Sequence, residues 1–226
     1  MFRDALERAA KERQSRLILA LDEPDPKKAF SVLRKAAKYL LCVKLHPEMP
    51  LIWKTTHEKA VLKIKKHVPY VILDAKLADI GSSNALKADY YYSQGYDAVI
   101  CHGFPGAESV KSITRDGKGV FLLCAMTSPG HFFSEELAVK LAAMGQQLDV
   151  DGLIAPGNQY DLLSKIHAAA PNLPILSPGI GTQGGDAKRA AQNGTRYAIV
   201  GRSILTAEKP GIEARRTRDA IHEVLK

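Results

Sequence analysis

The stretch YVILDAKLADIGSSNALKADYYYSQG, residues 70–95, passes from a β-branched apolar run directly into a helical pattern. In an extended chain side chains alternate between faces, so Asp74 and Lys76 are expected on the same side as Ile72. Burying an acid and a base side by side is costly unless they have partners or a chemical task. Taken alone, a D-x-K at a strand end reads most simply as a structural ion pair, because such pairs also perturb ionisation without doing chemistry. The rest of the chain decides between the two readings.

The same unit recurs along the chain. Short apolar runs stand at LILALD from Leu17, LLCVKLH from Leu40, YVILDAK from Tyr70, DAVICHG from Asp97, GVFLLCAM from Gly119, DGLIAPG from Asp151, PILSPGI from Pro174 and YAIVGRS from Tyr197. Between them lie amphipathic patterns such as DPKKAFSVLRKAAKYL, SNALKADYYYSQG, SEELAVKLAAMGQQL, NQYDLLSKIHAAA and GDAKRAAQNG, several opened by a capping Ser, Asn or Asp. Eight β-then-α units predict an α/β fold of the (β/α)8 barrel type rather than an open doubly wound sheet. One domain is expected over 1–226, with an N-terminal helix at 2–14 and no interdomain linker.

Composition excludes several classes. Hydrophobic residues make up 46% and charged residues 25%, an ordinary globular balance that argues against disorder. The apolar runs are far shorter than the ~20 residues needed to span a bilayer, and MFRDALERAAKERQ lacks the apolar core of a signal peptide. A soluble, cytoplasmic protein is expected. Cys42, Cys101 and Cys124 lie in separate apolar segments without C-x-x-C spacing, which points to buried thiols rather than a disulfide framework or zinc site. The formal charge of +8 is spread over helix faces, as in HEKAVLKIKKH, so it favours an anionic small molecule over nucleic acid or a membrane surface.

In a barrel the site lies where strands lead into helices. Asp22 follows the first run, Lys44 ends the second, and Asp74, Lys76 and Asp79 follow one another around the end of the third. Neighbouring strands would bring these five charges to one patch of the mouth, more than a structural ion pair requires. Across the mouth, SPGIGTQGGDAKRAAQNG and VGRS place Gly-rich turns and helix starts after the seventh and eighth strands, the usual phosphate site of barrels. Arg202 adds a charge and Gln183 an amide donor. Gly179, Gly181 and Gly184 match G-x-G-x-x-G, but after the seventh strand and with no acid about 20 residues further on, so a dinucleotide site is not expected. His102 reads as a hydrogen-bonded wall residue, Thr127 and Ser128 as ring-binding hydroxyls without a nucleophile elbow, and Tyr90 to Tyr92 as packing or an interface.

Together D-A-K-L-A-D-I at 74–80, Asp22, Lys44, S-P-G-I-G-T-Q-G-G at 177–185 and G-R-S at 201–203 resemble the orotidine 5′-monophosphate decarboxylases over nearly the whole chain. The resemblance implies Lys76 as the acid that protonates the substrate carbon, Asp74 facing the leaving carboxylate, and Lys44 and Asp79 completing the charged array. It further implies Asp22 and Lys44 on the ribose, Pro178, Gln183, Gly184, Gly201 and Arg202 around the phosphate, and Thr127 or Ser128 on the pyrimidine. Asp79, Ile80 and Ser83 are implied to come from a partner subunit, making the active form a homodimer with shared sites. Ser83 stands where the family carries a threonine. No metal or cofactor is implied: magnesium-dependent relatives place an acidic ligand where this chain has Lys44, and an ammonium there repels a divalent cation. The competing readings are a magnesium-dependent sugar-phosphate decarboxylase or synthase on the same barrel, and a non-catalytic phosphate-ligand-binding barrel.

Overall fold

A computed structural model of the protein describes residues 1–128, 130–180 and 186–225. Its strands are β1 (Leu17–Ala20), β2 (Cys42–Leu45), β3 (Tyr70–Leu77), β4 (Ala98–His102), β5 (Gly119–Leu123), β6 (Gly152–Ile154), β7 (Ile175–Ser177) and β8 (Thr195–Val200). Each pairs in parallel with the next, and β8 pairs with β1, closing a (β/α)8 barrel. Around it run α1 (Phe2–Glu12), α2 (Pro26–Ala36), α3 (Glu48–Ile52), α4 (His57–Lys65), α5 (Gly81–Ser93), α6 (Ala107–Lys111), α7 (Glu135–Leu148), α8 (Tyr160–Ala169), α9 (Ala187–Gln192), α10 (Arg202–Leu205) and α11 (Pro210–His222).

Strand alternation divides the apolar residues into two layers. Ile18, Cys42, Ile72, Ala98, Phe121, Leu176 and Tyr197 fill the barrel, whereas Leu19, Val43, Leu73, Val99 and Leu122 face outward under the helices. Helix α1 closes the bottom: its Phe2 ring meets Tyr70 and Phe121 edge-on at 5.2 and 6.2 Å. Gly119 is required there because a side chain would occupy the place of the Phe2 ring. A carboxylate locks the plug, for Glu7 accepts a bidentate pair from Arg16 at 2.6 and 2.7 Å and further bonds from Arg196 and Tyr197. The helix expected over 2–14 stops at Glu12, since Gln14 takes a left-handed backbone, φ +49°.

Side-chain caps set the starts of four helices. Asp25, Thr56, Ser134 and Asp186 each accept a hydrogen bond from the first turn of α2, α4, α7 and α9. All three cysteines are free and buried, and burial pushes the Cys101 thiol up to about 12.

Candidate active site

Register places the charged residues by level. Ala20, Lys44 and Ile72 are paired neighbours on β1, β2 and β3 and so share one layer of the barrel interior. Asp22, His46 and Asp74 each lie two residues further on and face inward one level higher, at the mouth. Lys44, only 5% exposed, reaches up between the acids: its ammonium lies 3.1 Å from Asp74 Oδ2 and 3.4 Å from Asp22 Oδ2. From β3, the Lys76 ammonium donates to Asp74 Oδ1 at 2.7 Å. Burial pushes the Asp74 carboxyl up, but the ammonium groups of Lys44 and Lys76 outweigh it and hold the group below its ordinary value. Asp74 is therefore an ionised carboxylate shared by two cations.

The local chain at β3 departs from a regular strand. Leu73 pairs with Val99 and Leu77 with Cys101, so four steps of β3 oppose two of β4, and Lys76 adopts φ +46°. Two extra residues, unlike one, preserve the alternation of faces, so Leu73 and Leu77 both stay in the outer layer while Asp74 and Lys76 both line the mouth. A left-handed backbone at a lysine is unfavourable by roughly 1–3 kcal/mol and persists only where the surroundings impose it.

Asp22, Lys44, His46, Asp74 and Lys76 form one wall of a cavity of about 310 Å³. Its floor is apolar, with Ile100, Leu123, Ile154 and Ile199. The wall continues through Pro178, Gly179 and Ile180 after β7 and through Gly201 and Arg202 after β8, which adjoins β1. Gly179 takes φ +88°, a left-handed backbone that favours glycine, and a Cβ at Gly201 would meet Ala20 at a tight 3.3 Å. Arg202 is exposed and, among the described residues, its guanidinium makes no ion pair. The cavity thus offers a charged array, an apolar floor and a cationic rim, a shape and chemistry suited to a planar ring joined to an anion.

Several expected residues stand elsewhere. Thr127 lines the cavity, whereas Ser128 is exposed outside its lining. Gln183 and Gly184 lie outside the described residues, with Gly181 and Gly185. Asp79 does not join the array within its own chain: it lies past the end of β3, where Lys87 bonds its carboxylate at 2.8 Å and holds it below its ordinary value. Ile80 is 69% exposed, and Ser83, on the first turn of α5, also lies outside the lining. The five charges expected at one patch are therefore four, with Asp79 displaced by its position beyond the strand. His102 is not the hydrogen-bonded wall residue expected. Its ring packs between Phe104 and Phe133, and Nδ1 has no hydrogen-bond partner among the described residues. Burial and the Lys76 charge push that imidazole below its ordinary range. His46 was not anticipated, yet its Nε2 lies 3.5 Å from Asp74 Oδ2; its position two residues past Lys44 was the available signal.

Among the described residues, no group of three or more His, Cys, Asp or Glu side chains is placed to hold a metal ion. No helix among them is long and apolar enough to cross a membrane.

Comparison with known proteins agrees with this geometry. The sequence profile described as Orotidine 5′-phosphate decarboxylase / HUMPS family matches residues 15–217. The orotidine 5′-phosphate decarboxylase of Thermococcus kodakarensis is 36% identical over 215 residues, covering 94% of this chain and 99% of the relative. That of Thermoplasma volcanium is 36% identical over 200 residues, covering 88% and 89%. A crystal structure of orotidine 5′-monophosphate decarboxylase from Methanocaldococcus jannaschii, complexed with the inhibitor BMP, superimposes with a TM-score of 0.83 at 31% identity, over 92% of this chain and 98% of that one. With the barrel, the D-x-K-x-x-D segment and a match over residues 15–217, this chain belongs to the orotidine 5′-phosphate decarboxylase / HUMPS family.

Proposed function

We propose that this protein is a carbon-carbon lyase that converts orotidine 5′-monophosphate to uridine 5′-monophosphate in pyrimidine nucleotide biosynthesis, without metal or cofactor. The observation that carries the reading is the position of Lys44: its ammonium stands between Asp22 and Asp74, where a divalent cation would need to bind. The same observation disfavours the magnesium-dependent relatives on this barrel. The reading also includes a cytoplasmic homodimer, in which Asp79, Ile80 and Ser83 of one chain complete the site of the other. The exposure of Ile80 and the placement of Asp79 outside its own chain's cavity support that arrangement.

In this reading the pyrimidine lies over the apolar floor with Thr127 on its polar edge, the ribose hydroxyls meet Asp22, Lys44 and His46, and the phosphate meets Arg202 and the turns at Pro178 and Gly201. The bond from the ring carbon to the carboxylate breaks, carbon dioxide leaves, and the electron pair remains on the ring carbon. No neighbouring group of the ring delocalises that charge, so the site stabilises it directly. The Lys76 ammonium lies where the charge develops and then transfers its proton to the ring carbon, after which solvent returns a proton to the amine. Asp74 orients Lys76 and opposes the substrate carboxylate. Phosphate binding at Arg202 contributes the energy for orientation.

The test is an ultraviolet assay of the purified protein with orotidine 5′-monophosphate, with and without a strong chelator. Turnover that is unchanged by the chelator is expected. Loss on chelation and recovery with magnesium would select the metal-dependent reading, and the absence of turnover in every arm the non-catalytic one.

A further inference from the structure

The segment joining β3 to α5 is held by two buried polar side chains. Asn84, on the first turn of α5, is 0% exposed, and Ser109, on α6, is 4% exposed. Buried polar groups require partners, and these two find theirs in each other and in the main chain of a single residue, Asp79. Asn84 Nδ2 donates to Ser109 Oγ at 2.8 Å, Ser109 Oγ donates to the Asp79 carbonyl at 2.7 Å, and the Asp79 backbone N–H donates to Asn84 Oδ1 at 3.2 Å. The three bonds form a closed ring that satisfies both main-chain polar groups of Asp79. Capping of α5 does not account for it, because the cap position is Ile80 and its side chain makes no cap hydrogen bond. The ring fixes the Asp79 backbone while leaving its carboxylate half-exposed, beside the outward-facing Ile80 and within reach of Lys87.

We propose that Asn84 and Ser109 are positioning residues for the reaction: their ring holds the Asp79 main chain so that its carboxylate is presented to the active site of a second copy of the chain. This rests on the shared-site reading above. It assigns a cross-subunit task to two residues that line no part of their own chain's cavity. Misplacing a charged group by about 1 Å costs about a hundredfold in rate, so loosening this peptide is felt as lost turnover in the partner's site.

The test combines point variants with subunit exchange. Ser109→Ala and Asn84→Ala are expected to lower kcat by about tenfold or more, with Ser109→Thr, which keeps the hydroxyl, restoring most of it. Each chain is then mixed under exchange conditions verified by mass. In a dimer of Ser109→Ala with Lys76→Ala, one site has an intact Lys76 and an Asp79 held by an intact ring, so activity rises. In a dimer of Ser109→Ala with Asp79→Ala, every site has a missing or loosened Asp79, and activity does not rise. The reverse pattern, or a rise in neither mixture, overturns the proposal, because the lesion then acts within its own chain or on folding. Loss of less than about twofold in both alanine variants overturns it too. The control is Lys76→Ala mixed with Asp79→Ala: recovery there with failure of the Ser109 pattern removes only this inference, whereas no recovery there removes the shared-site reading and this inference with it.

Discussion

The Lys76 ammonium lies 2.7 Å from Asp74 Oδ1, although the two residues are separated by only one position and Lys76 has a left-handed backbone. The two-residue bulge of β3 and the left-handed turn together bring a lysine back onto a carboxylate that also receives Lys44. Asp74 thus separates two ammonium groups that would otherwise repel each other at the mouth.

Replacing Asp74 by Asn removes that separation without changing the shape of the side chain. Turnover is expected to fall by about a hundredfold or more, because Lys76 loses the group that orients it. Steady-state assay of Asp74→Asn decides the point; a loss under about tenfold would show that Lys44 and the backbone alone position Lys76.

Arg202→Ala is expected to raise the substrate KM by about tenfold to a hundredfold, the range of a lost charge-assisted hydrogen bond of about 1.5–3 kcal/mol. The effect should largely vanish with the phosphate-free nucleoside. An equal effect on nucleotide and nucleoside would place Arg202 away from the phosphate.

Thr127 and Ser128 separate by the same logic. Thr127→Val is expected to lower kcat/KM by about tenfold, near 1.4 kcal/mol, while Ser128→Ala changes it by less than about threefold. The opposite ranking would assign the pyrimidine to Ser128.

Stability carries its own pH signature at the barrel bottom. Hydrogen bonds from Arg16, outweighing burial, hold the Glu7 carboxyl far below its ordinary value. In the unfolded chain the same group titrates near ~4.3, so below about pH 5 the unfolded state binds more protons than the folded one and stability falls with pH. Glu7→Gln is expected to melt lower than the parent at pH 7 and to lose less on acidification. Melting curves between pH 7 and pH 3 test this, and parallel curves for the two proteins would contradict it.

The strands were legible because each is a short β-branched run bounded by turn residues, and the barrel followed from eight of them alternating with helices. Asp22, Lys44, Asp74 and Lys76 were legible as a group because strand ends in a barrel converge. Alternation correctly put Asp74 and Lys76 on the inner face, but it did not reveal the bulge, since a positive φ at a lysine is imposed by tertiary contacts and has no local signal. The start of α5 at Gly81 rather than near Ser83 was hidden because its cap, Ile80, is apolar. Helix α3 begins after Pro47 in a five-residue segment too short for periodicity to register. His46 went unnoticed beside the more conspicuous Lys44, and Asp79 was grouped with the array because spacing along the chain does not show where a strand stops.

The most direct test of the proposed chemistry is the turnover of Lys76→Ala measured alongside its affinity for uridine 5′-monophosphate. Lys76 acts on charge that develops only as the carbon-carbon bond breaks, so its loss removes transition-state stabilisation and little ground-state binding. The expected result is turnover reduced by about a thousandfold or more, with product affinity within about fivefold of the parent. Turnover within about tenfold of the parent, a difference of ~1.4 kcal/mol, would contradict the assignment of Lys76 as the proton donor.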